Sequence, residues 1–142
     1  MTVAAIAEQD GRFLLVEEEI DTRLVINQPA GHLDPGESLV EAVVRETLEE
    51  TAWHFEPQAL TGIYRWVNPA SDATFVRFCF AGTCTTHEPH RALDKEIRRV
   101  LWLSLDDIHA EARRLRSPLV RRSIEDYLSG RRYDLSLLVE LG

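Results

Sequence analysis

Residues 31–53, GHLDPGESLVEAVVRETLEETAW, carry the most distinctive pattern in the chain. A loop rich in Gly and Pro leads into a segment with helical spacing of apolar residues. We predict a helix over residues 38–51, with Ser38 as its N-cap and Glu41 completing a capping box. Six carboxylates share this stretch with one basic residue, Arg45. Like charges at helical spacing cost about 0.2–0.5 kcal/mol per pair, so something outside the chain is expected to offset that repulsion.

The acidic side chains of the predicted helix are spaced so that three of them meet. Glu49 and Glu50 follow Glu46 by three and four residues, which places all three side chains on one side of the helix. Mg²⁺ prefers hard oxygen ligands and is usually held by carboxylates together with substrate phosphates. The glycines of the preceding loop, PAGHLDPGE, allow its backbone to lie close to a bound ligand, and a backbone carbonyl of this loop is a further candidate ligand for the metal. The ordinary alternative is a solvated acidic face.

Elsewhere the chain alternates strand and helix patterns. Strands are predicted over residues 3–7, 12–18, 23–31, 59–69, 73–84 and 98–105, with a hairpin turn at Asp10-Gly11. Two later helices begin after Ser104 and Ser117, the second with Pro118 in its first turn and Gly130 after its end. This order predicts a mixed α/β fold in one domain, residues 1–142.

The spacing of the opening stretch resembles the Nudix box, G-x5-E-x7-R-E-U-x-E-E-x-G-U, where U is a bulky apolar residue. The matching positions are Gly31, Glu37, Arg45, Glu46, Glu49, Glu50 and Trp53. Two positions depart from the pattern, Thr47 where an aliphatic residue is usual and Ala52 where Gly is usual. Ala52 would be strained if the helix end requires positive φ. The resemblance implies a Nudix α/β/α sandwich with a mixed β-sheet and the family's loop-helix motif.

A closer resemblance lies outside the box. The segments NQPAGHL, LRSPLV and SGRRY are similar to a Nudix phosphatase subfamily. Its members hydrolyse hydroxymethylpyrimidine pyrophosphate, thiamine pyrophosphate and nucleoside di- and triphosphates. The resemblance implies Mg²⁺-dependent attack of water on a phosphoric anhydride, with Mn²⁺ as a possible substitute. A hydrolase of another nucleotide-linked diphosphate and a catalytically silent Nudix-fold ligand sensor are the alternatives. Intact glutamates in the box argue against the sensor.

The resemblance also implies roles for single residues. The metal ligands would be Glu46, Glu49, Glu50 and the carbonyl of Ala30. Gly31 would be structural, and Glu37 would pair with Arg45 to hold the loop against the helix. The general base is either Glu46 or an acid of a later loop, for which Glu96 is the candidate. The alternative for Glu96 is a surface acid paired with Lys95 or Arg99.

Five further residues are weaker candidates for substrate contact. Gln28 and His32 flank the metal loop, although a loop hydrogen bond explains His32 equally well. Tyr64, Trp66 and Arg77 lie on predicted strands that would border the pocket. An aromatic ring suits stacking on a pyrimidine, but core packing is the commoner role of such rings.

Composition limits the partners of the protein. A formal net charge of −8 and no obvious basic patch argue against binding of a nucleic-acid polymer. No apolar run is long enough to cross a membrane, and no signal peptide is evident at the N-terminus. Two cysteines indicate reduced thiols in a cytoplasmic protein rather than a disulfide framework. We expect a monomer or small homo-oligomer that acts on a small phosphorylated molecule.

Overall fold

The computed structural model describes residues 1–142. Seven strands and three α-helices form the fold. The strands are β1 (Thr2–Gln9), β2 (Arg12–Ile20), β3 (Arg23–Asn27), β4 (Ala30–His32), β5 (Trp53–Val67), β6 (Thr74–His87) and β7 (Ile97–Leu103). The helices are α1 (Leu39–Thr51), α2 (Leu105–Ala110) and α3 (Pro118–Leu128), with short 3-10 helices at Ala112–Arg114 and Leu135–Leu137.

The sheet is mixed, with strand order β3-β2-β1-β6-β5. The parallel pair is β1 with β6, whereas the other pairs are antiparallel. Off the main path, β4 pairs with β1 and β7 pairs with β2. Strand β1 pairs with β2 only near their hairpin, from Glu8↔Phe13 onward, and with β4 at its other end. One edge of β1 is therefore shared by β2 and β4, while its other edge pairs with β6.

Helices cover both faces of the sheet. On one face, Ala42 and Val43 of α1 pack in a buried cluster with Leu14 and Phe80. On the other face, Ile108 of α2 and residues of α3 pack against a second cluster of strand residues. Each face of a sheet can bury apolar side chains only if another layer covers it. The α/β/α sandwich with a mixed sheet is confirmed.

Helix α1 begins and ends as a capped element. Ser38 Oγ accepts from the N–H of Glu41, and the Glu41 carboxylate accepts from the N–H of Ser38, which is the predicted capping box. At the other end Ala52 adopts φ 64° and ψ 15°, in the left-handed region, and donates its N–H to Leu48 O at 2.9 Å. The helix end therefore does require positive φ. Thr47 is buried, and its hydroxyl donates a hydrogen bond to Val43 O at 2.7 Å.

Some element boundaries differ from the prediction. The predicted strand over residues 23–31 is divided, because the chain leaves β2 after Asn27 and joins β1 at Ala30. Pro29 lies at this crossing, where it has no N–H to donate and its carbonyl accepts from Ala5 N. The strand predicted over residues 59–69 starts six residues earlier, directly after the helix.

Two further features bear on the predicted environment of the chain. Cys79 and Cys84 are both unpaired, so the structure contains no disulfide. None of the helices combines the length and the apolar character that crossing a membrane requires.

Candidate active site

A cavity of about 380 Å³ opens beside the Gly-rich loop and α1. Acidic side chains dominate one part of its wall: Glu18, Asp34, Glu46, Glu50, Asp94 and Glu96. The lining also includes two cations and an aromatic pair: Arg77, Arg116, Trp66 and Phe75. The elements that contribute are far apart in sequence, and the sheet brings them together.

Two groups of three carboxylates lie in or beside this cavity. In one group, oxygens of Glu46, Glu49 and Asp94 lie within 4.8 Å of one another. In the other, oxygens of Glu50, Asp94 and Glu96 meet the same limit. Asp94 belongs to both groups, and its N–H donates to Glu49 O at 3.0 Å. This arrangement of hard oxygen donors suits a divalent cation.

Arg45 links the loop to the helix. Its Nε donates to Glu37 Oε2 at 2.7 Å and its Nη2 to Glu37 Oε1 at 2.9 Å, a bidentate pair. Nη1 bonds Glu46 at 2.9 Å and Glu49 at 2.7 Å, and Nη2 also bonds the carbonyl of His32. These bonds raise the pKa of Arg45, chiefly through Glu37, and hold the pKa of Glu37 below its usual range. Arg45 therefore lies between the loop and the acidic face.

Gly31 permits a very close approach of the loop to Glu46. A Cβ added at Gly31 would lie 2.2 Å from Glu46 Cδ and 2.3 Å from its Oε1. Real Cβ atoms do not approach other heavy atoms so closely, so any larger residue would displace the carboxylate. The motif glycine therefore makes room for a side chain of the helix.

Burial raises the proton affinity of two glutamates. Glu50 is 5% exposed, and its burial raises its pKa to about 9 although the Ala30 N–H donates to Oε1 at 3.0 Å. Burial raises the pKa of Glu46 to about 7, against the opposing effect of Arg45. Desolvation disfavours a carboxylate that lacks a compensating cation. A bound cation would supply that compensation.

Glu96 lines the cavity and forms no ion pair in the structure. Of the two expected alternative partners, Arg99 pairs with Glu17 instead, and Lys95 forms no ion pair with Glu96. The structure therefore shows no neighbouring cation paired with Glu96. Ala30 and His32 also line the cavity, His32 with an exposed side chain.

Arg77 is a buried cation in the wall of the same cavity. It is 7% exposed, and burial lowers its pKa. Its Nη1 donates to Gln28 Oε1 at 3.1 Å, while its Nε is buried without any partner. No carboxylate lies within ion-pair distance of this guanidinium. A buried charge without a counterion is costly, which makes Arg77 a group that an anionic ligand would satisfy.

The structure does not bring two of the weaker candidates to the cavity. Gln28 is fully buried and holds Arg77, so it supports a wall residue instead of facing a ligand. Tyr64 lies under α3, where its hydroxyl donates to Asp126 Oδ2 at 2.8 Å. Trp66, two residues further along the same strand, does line the cavity and stacks on Phe75 with ring centroids 5.7 Å apart.

Two acids of the cavity were missed by the sequence analysis. Asp94 lies two residues before Glu96 in the same loop, and that pairing of acids was the available signal. Glu18 is 6% exposed, accepts from Asn27 Nδ2 at 3.0 Å and lines the cavity from β2. It sits in the run EEE at residues 17–19, which gave no hint of which member points inward.

Comparisons with known proteins agree with this geometry. The chain matches the NUDIX domain family model over residues 1–123. Phosphatase NudJ of Escherichia coli strain K12 is 41% identical over 138 residues, which cover 97% of this chain and 89% of that protein. A NUDIX hydrolase from Nitrosomonas europaea has a TM-score of 0.97 at 48% identity, covering 99% of this chain and 95% of that one.

More distant structures share the architecture. A MutT NUDIX hydrolase from Burkholderia pseudomallei has a TM-score of 0.70 at 22% identity, covering 88% of this chain and 95% of that one. This likeness supports the fold, whereas the family model and the relatives above 40% identity support membership. The chain therefore belongs to the Nudix hydrolase family and is a pyrophosphohydrolase.

Proposed function

We propose that the protein is a Mg²⁺-dependent phosphatase that releases orthophosphate from small pyrophosphate and polyphosphate molecules. The substrates that the sequence favours are hydroxymethylpyrimidine pyrophosphate, thiamine pyrophosphate and nucleoside di- and triphosphates. The observation that carries the proposal is the pairing of two carboxylate groups around Asp94 with a buried, uncompensated Arg77 in one cavity. Phosphatase NudJ, 41% identical over nearly the whole chain, supports the choice of reaction.

The acidic wall fits a divalent cation by the chemistry of its donors. We propose Glu46, Glu49, Glu50 and Asp94 as the carboxylate ligands, with the carbonyl of Ala30 as a further oxygen. A bound Mg²⁺ neutralises phosphate charge and lowers the pKa of its water, and Mn²⁺ would substitute for it. Arg45 holds the carboxylates of Glu46 and Glu49 in place, and Glu37 holds Arg45. A cation held there would favour the ionised form of Glu50, whose pKa is raised by burial in the metal-free protein.

Other residues of the cavity act on substrate and water. We propose Glu96 as the general base, because it is free of ion pairs and lies beside Glu50 and Asp94, whereas Glu46 is tied to Arg45. Arg77 would bind a phosphate oxygen and so gain the counterion that it lacks. Trp66 would offer a flat surface to the organic part of the substrate. Charge developing on the transferred phosphoryl group is thus met from two sides.

The decisive experiment is a product assay. Purified protein with Mg²⁺ is incubated with hydroxymethylpyrimidine pyrophosphate, thiamine pyrophosphate and a panel of nucleoside di- and triphosphates. Orthophosphate and pyrophosphate are measured separately. We expect orthophosphate, with a Glu50→Gln variant as the control for contaminating activity.

The outcomes separate the candidate functions. Pyrophosphate as the product from nucleoside triphosphates would contradict the phosphatase assignment. Turnover confined to nucleoside sugars or dinucleotides would favour a hydrolase of nucleotide-linked diphosphates. No turnover of any substrate above the Glu50→Gln control would leave a ligand-binding Nudix fold.

The identity of the base has its own test. Glu96→Gln and Glu46→Gln are compared by the dependence of kcat on pH and by Mg²⁺ affinity. If Glu96 is the base, Glu96→Gln loses the acidic limb of the profile with Mg²⁺ affinity within about threefold of the parent. Glu46→Gln should lose Mg²⁺ affinity instead. The reverse pattern would assign the base to Glu46.

A further inference from the structure

A second cavity, of about 870 Å³, adjoins the catalytic cavity. The two share the wall residues Trp66, Asn68, Arg116 and Ser117. From there the second cavity extends along the start of β3, the 3-10 helix at Ala112–Arg114 and the first turns of α3. The two cavities therefore meet at these four residues, Trp66 among them.

The second cavity is basic, in contrast to the acidic wall of the catalytic cavity. Five arginines line it, together with two acids: Arg23, Arg113, Arg116, Arg121, Arg122, Asp21 and Glu125. In a chain with net charge −8, this is a local reversal of sign. A concave surface lined by one sign of charge concentrates ligands of the opposite sign.

Several of these arginines lack a strong partner within the protein. Arg121 pairs with Glu125 at 2.6 Å and Arg122 with Asp126 at 3.1 Å. Arg116 makes only a long contact of 3.6 Å with Glu18. Arg23 and Arg113 are exposed and make no side-chain hydrogen bond or ion pair in the structure. Arg23 and Arg113 are thus two guanidinium groups, on different elements around one cavity, with all their donors available.

We propose that this basic cavity binds a second phosphate-type anion, carried by the substrate at a distance from the anhydride that is hydrolysed. This inference rests on the proposed function and extends its substrates to molecules that carry a second phosphate away from the anhydride, which the substrates named above lack. The anhydride would lie between the carboxylates and Arg77, the flat organic part against Trp66, and the distal phosphate among Arg23, Arg113 and Arg116. Guanidinium groups bind phosphate through paired, charge-assisted hydrogen bonds, which suits them to such a role.

The test compares two matched substrates. One is a nucleoside 5′-diphosphate, and the other is the same nucleoside 5′-diphosphate with an additional 3′-phosphate. Hydrolysis of the 5′-anhydride is followed in both, and the ratio of their kcat/KM values is the measured quantity. We expect the 3′-phosphate to raise kcat/KM by about tenfold, mainly through a lower KM.

The variants assign the effect to the basic cavity. In an Arg23→Gln, Arg113→Gln double variant we expect the ratio to fall close to one. The matched control is an Arg12→Gln, Arg65→Gln double variant, which has the same net charge but changes two exposed arginines outside both cavities. The control should keep the ratio of the parent. A loss of the same size in the control would show only a general charge effect and would overturn the proposal.

A second arm distinguishes a phosphate on the substrate from a free one. Binding of inorganic phosphate to the metal-free protein is measured by calorimetry in the parent and both double variants. One outcome is that the parent binds inorganic phosphate, that only the Arg23→Gln, Arg113→Gln variant loses this binding, and that the parent shows no preference for the 3′-phosphorylated substrate. This outcome would assign the site to free phosphate and would contradict a phosphate carried by the substrate. A ratio of one in the parent together with no such binding overturns the proposal. Absence of turnover of both substrates, with phosphate binding intact, would refute the phosphatase function and leave the anion site standing.

Discussion

At the scale of single residues, Gly31 and Gly36 play different parts in the same loop. An added Cβ at Gly31 meets the Glu46 carboxylate, whereas at Gly36 it meets nothing, although φ there is +79°. Gly31 therefore protects the position of Glu46, a proposed metal ligand, and Gly36 allows a turn. Gly31 is thus required by the geometry of the site, and Gly36 by the backbone conformation of the loop.

Gly31→Ala should damage activity more than stability. The displaced group is the flexible end of Glu46, so we expect the free energy of unfolding to change by less than about 1 kcal/mol. Mg²⁺ affinity and kcat/KM should fall by about 10–100-fold. We expect the opposite pattern for Gly36→Ala. Strain in the left-handed region should lower its free energy of unfolding by about 1 kcal/mol, while its activity stays near normal. Urea unfolding and kinetics on both variants check the contrast, and equal loss of activity in the two would refute it.

Glu50→Gln should inactivate the enzyme without weakening the metal-free fold. Its pKa of about 9 means that the metal-free side chain is protonated at neutral pH, and Gln has nearly the same shape. Gln also retains the oxygen that accepts from the Ala30 N–H. We expect activity to fall by at least about a hundredfold. A metal-free melting temperature well below that of the parent would contradict this account.

Residues of the active site differed in how far the sequence could locate them. Glu46, Glu49 and Glu50 could be grouped because helical spacing fixes their relative directions. Asp94 was missed because the glutamates of α1 that it meets in space lie more than forty residues away in sequence. Trp66 was located, whereas Tyr64 on the same strand was not, because the position of α3 decides which of the two is covered.

At the scale of elements, α1 ends in a strained conformation. Ala52 occupies the left-handed region that favours Gly, and its methyl group is buried. An alanine in this region costs about 1–2 kcal/mol. The next residue already belongs to β5, so the helix has no room for a longer exit. The departure from the family pattern therefore falls where the chain turns directly from helix to strand.

Ala52→Gly should stabilise the protein. Relief of the strain exceeds the loss of one buried methyl group, and we expect a net gain of about 0.5–1 kcal/mol. Ala52→Val, with a β-branched side chain, should lose more than about 2 kcal/mol. The measurement is urea unfolding of both variants without metal. A lower midpoint for Ala52→Gly would show that the buried methyl group outweighs the backbone strain.

Element prediction succeeded where local chemistry determines the boundary. The caps at Ser38 and Ser117 follow from side chains that bond the first free N–H groups of a helix. The division of the strand near Pro29 was not predicted, because it depends on a change of partner from β2 to β1. Long-range pairing leaves little trace in the local pattern of residues.

At the scale of the whole molecule, Glu17 joins three separate parts of the chain. It lies on β2, is 4% exposed, and is bound by Arg99 of β7 and by Arg114 of the following 3-10 helix. The hydrogen bond from Arg99 and the contact with Arg114 lower its pKa to about 2. Glu17 therefore connects the sheet to the segment that leads into α3.

This connection predicts a dependence of stability on pH. A carboxyl whose folded pKa lies below its unfolded value stabilises the protein above the unfolded pKa, and that contribution is lost as pH falls towards the folded pKa. Glu17→Gln should thus lower the free energy of unfolding at neutral pH by about 1–3 kcal/mol, and the difference should shrink between about pH 5 and pH 2. Urea unfolding across this range provides the test. Glu19→Gln, at an exposed ion pair, is the control and should show a much smaller effect.

The fold as a whole was the most predictable level. The α/β/α sandwich and membership of the Nudix family followed from the opening stretch and the order of elements, and both are confirmed. The second cavity was not predicted, because the basic residues at 113–122 gave no sign that they face one space together with Arg23 of a distant strand. The shape of a cavity depends on how helices and strands pack against one another, so it is harder to predict from the sequence than the elements themselves.

The hydrogen bonds of Arg45 bear on when the loop and the acidic side chains of α1 become ordered. Because one guanidinium already joins the loop to two carboxylates of the helix, the acidic face is assembled before any ion or substrate arrives. The entropy of ordering these groups is lost once, when the chain folds, and is not lost again in each turnover. The ordering entropy of the groups that Arg45 joins is therefore not subtracted from the free energy with which each substrate binds.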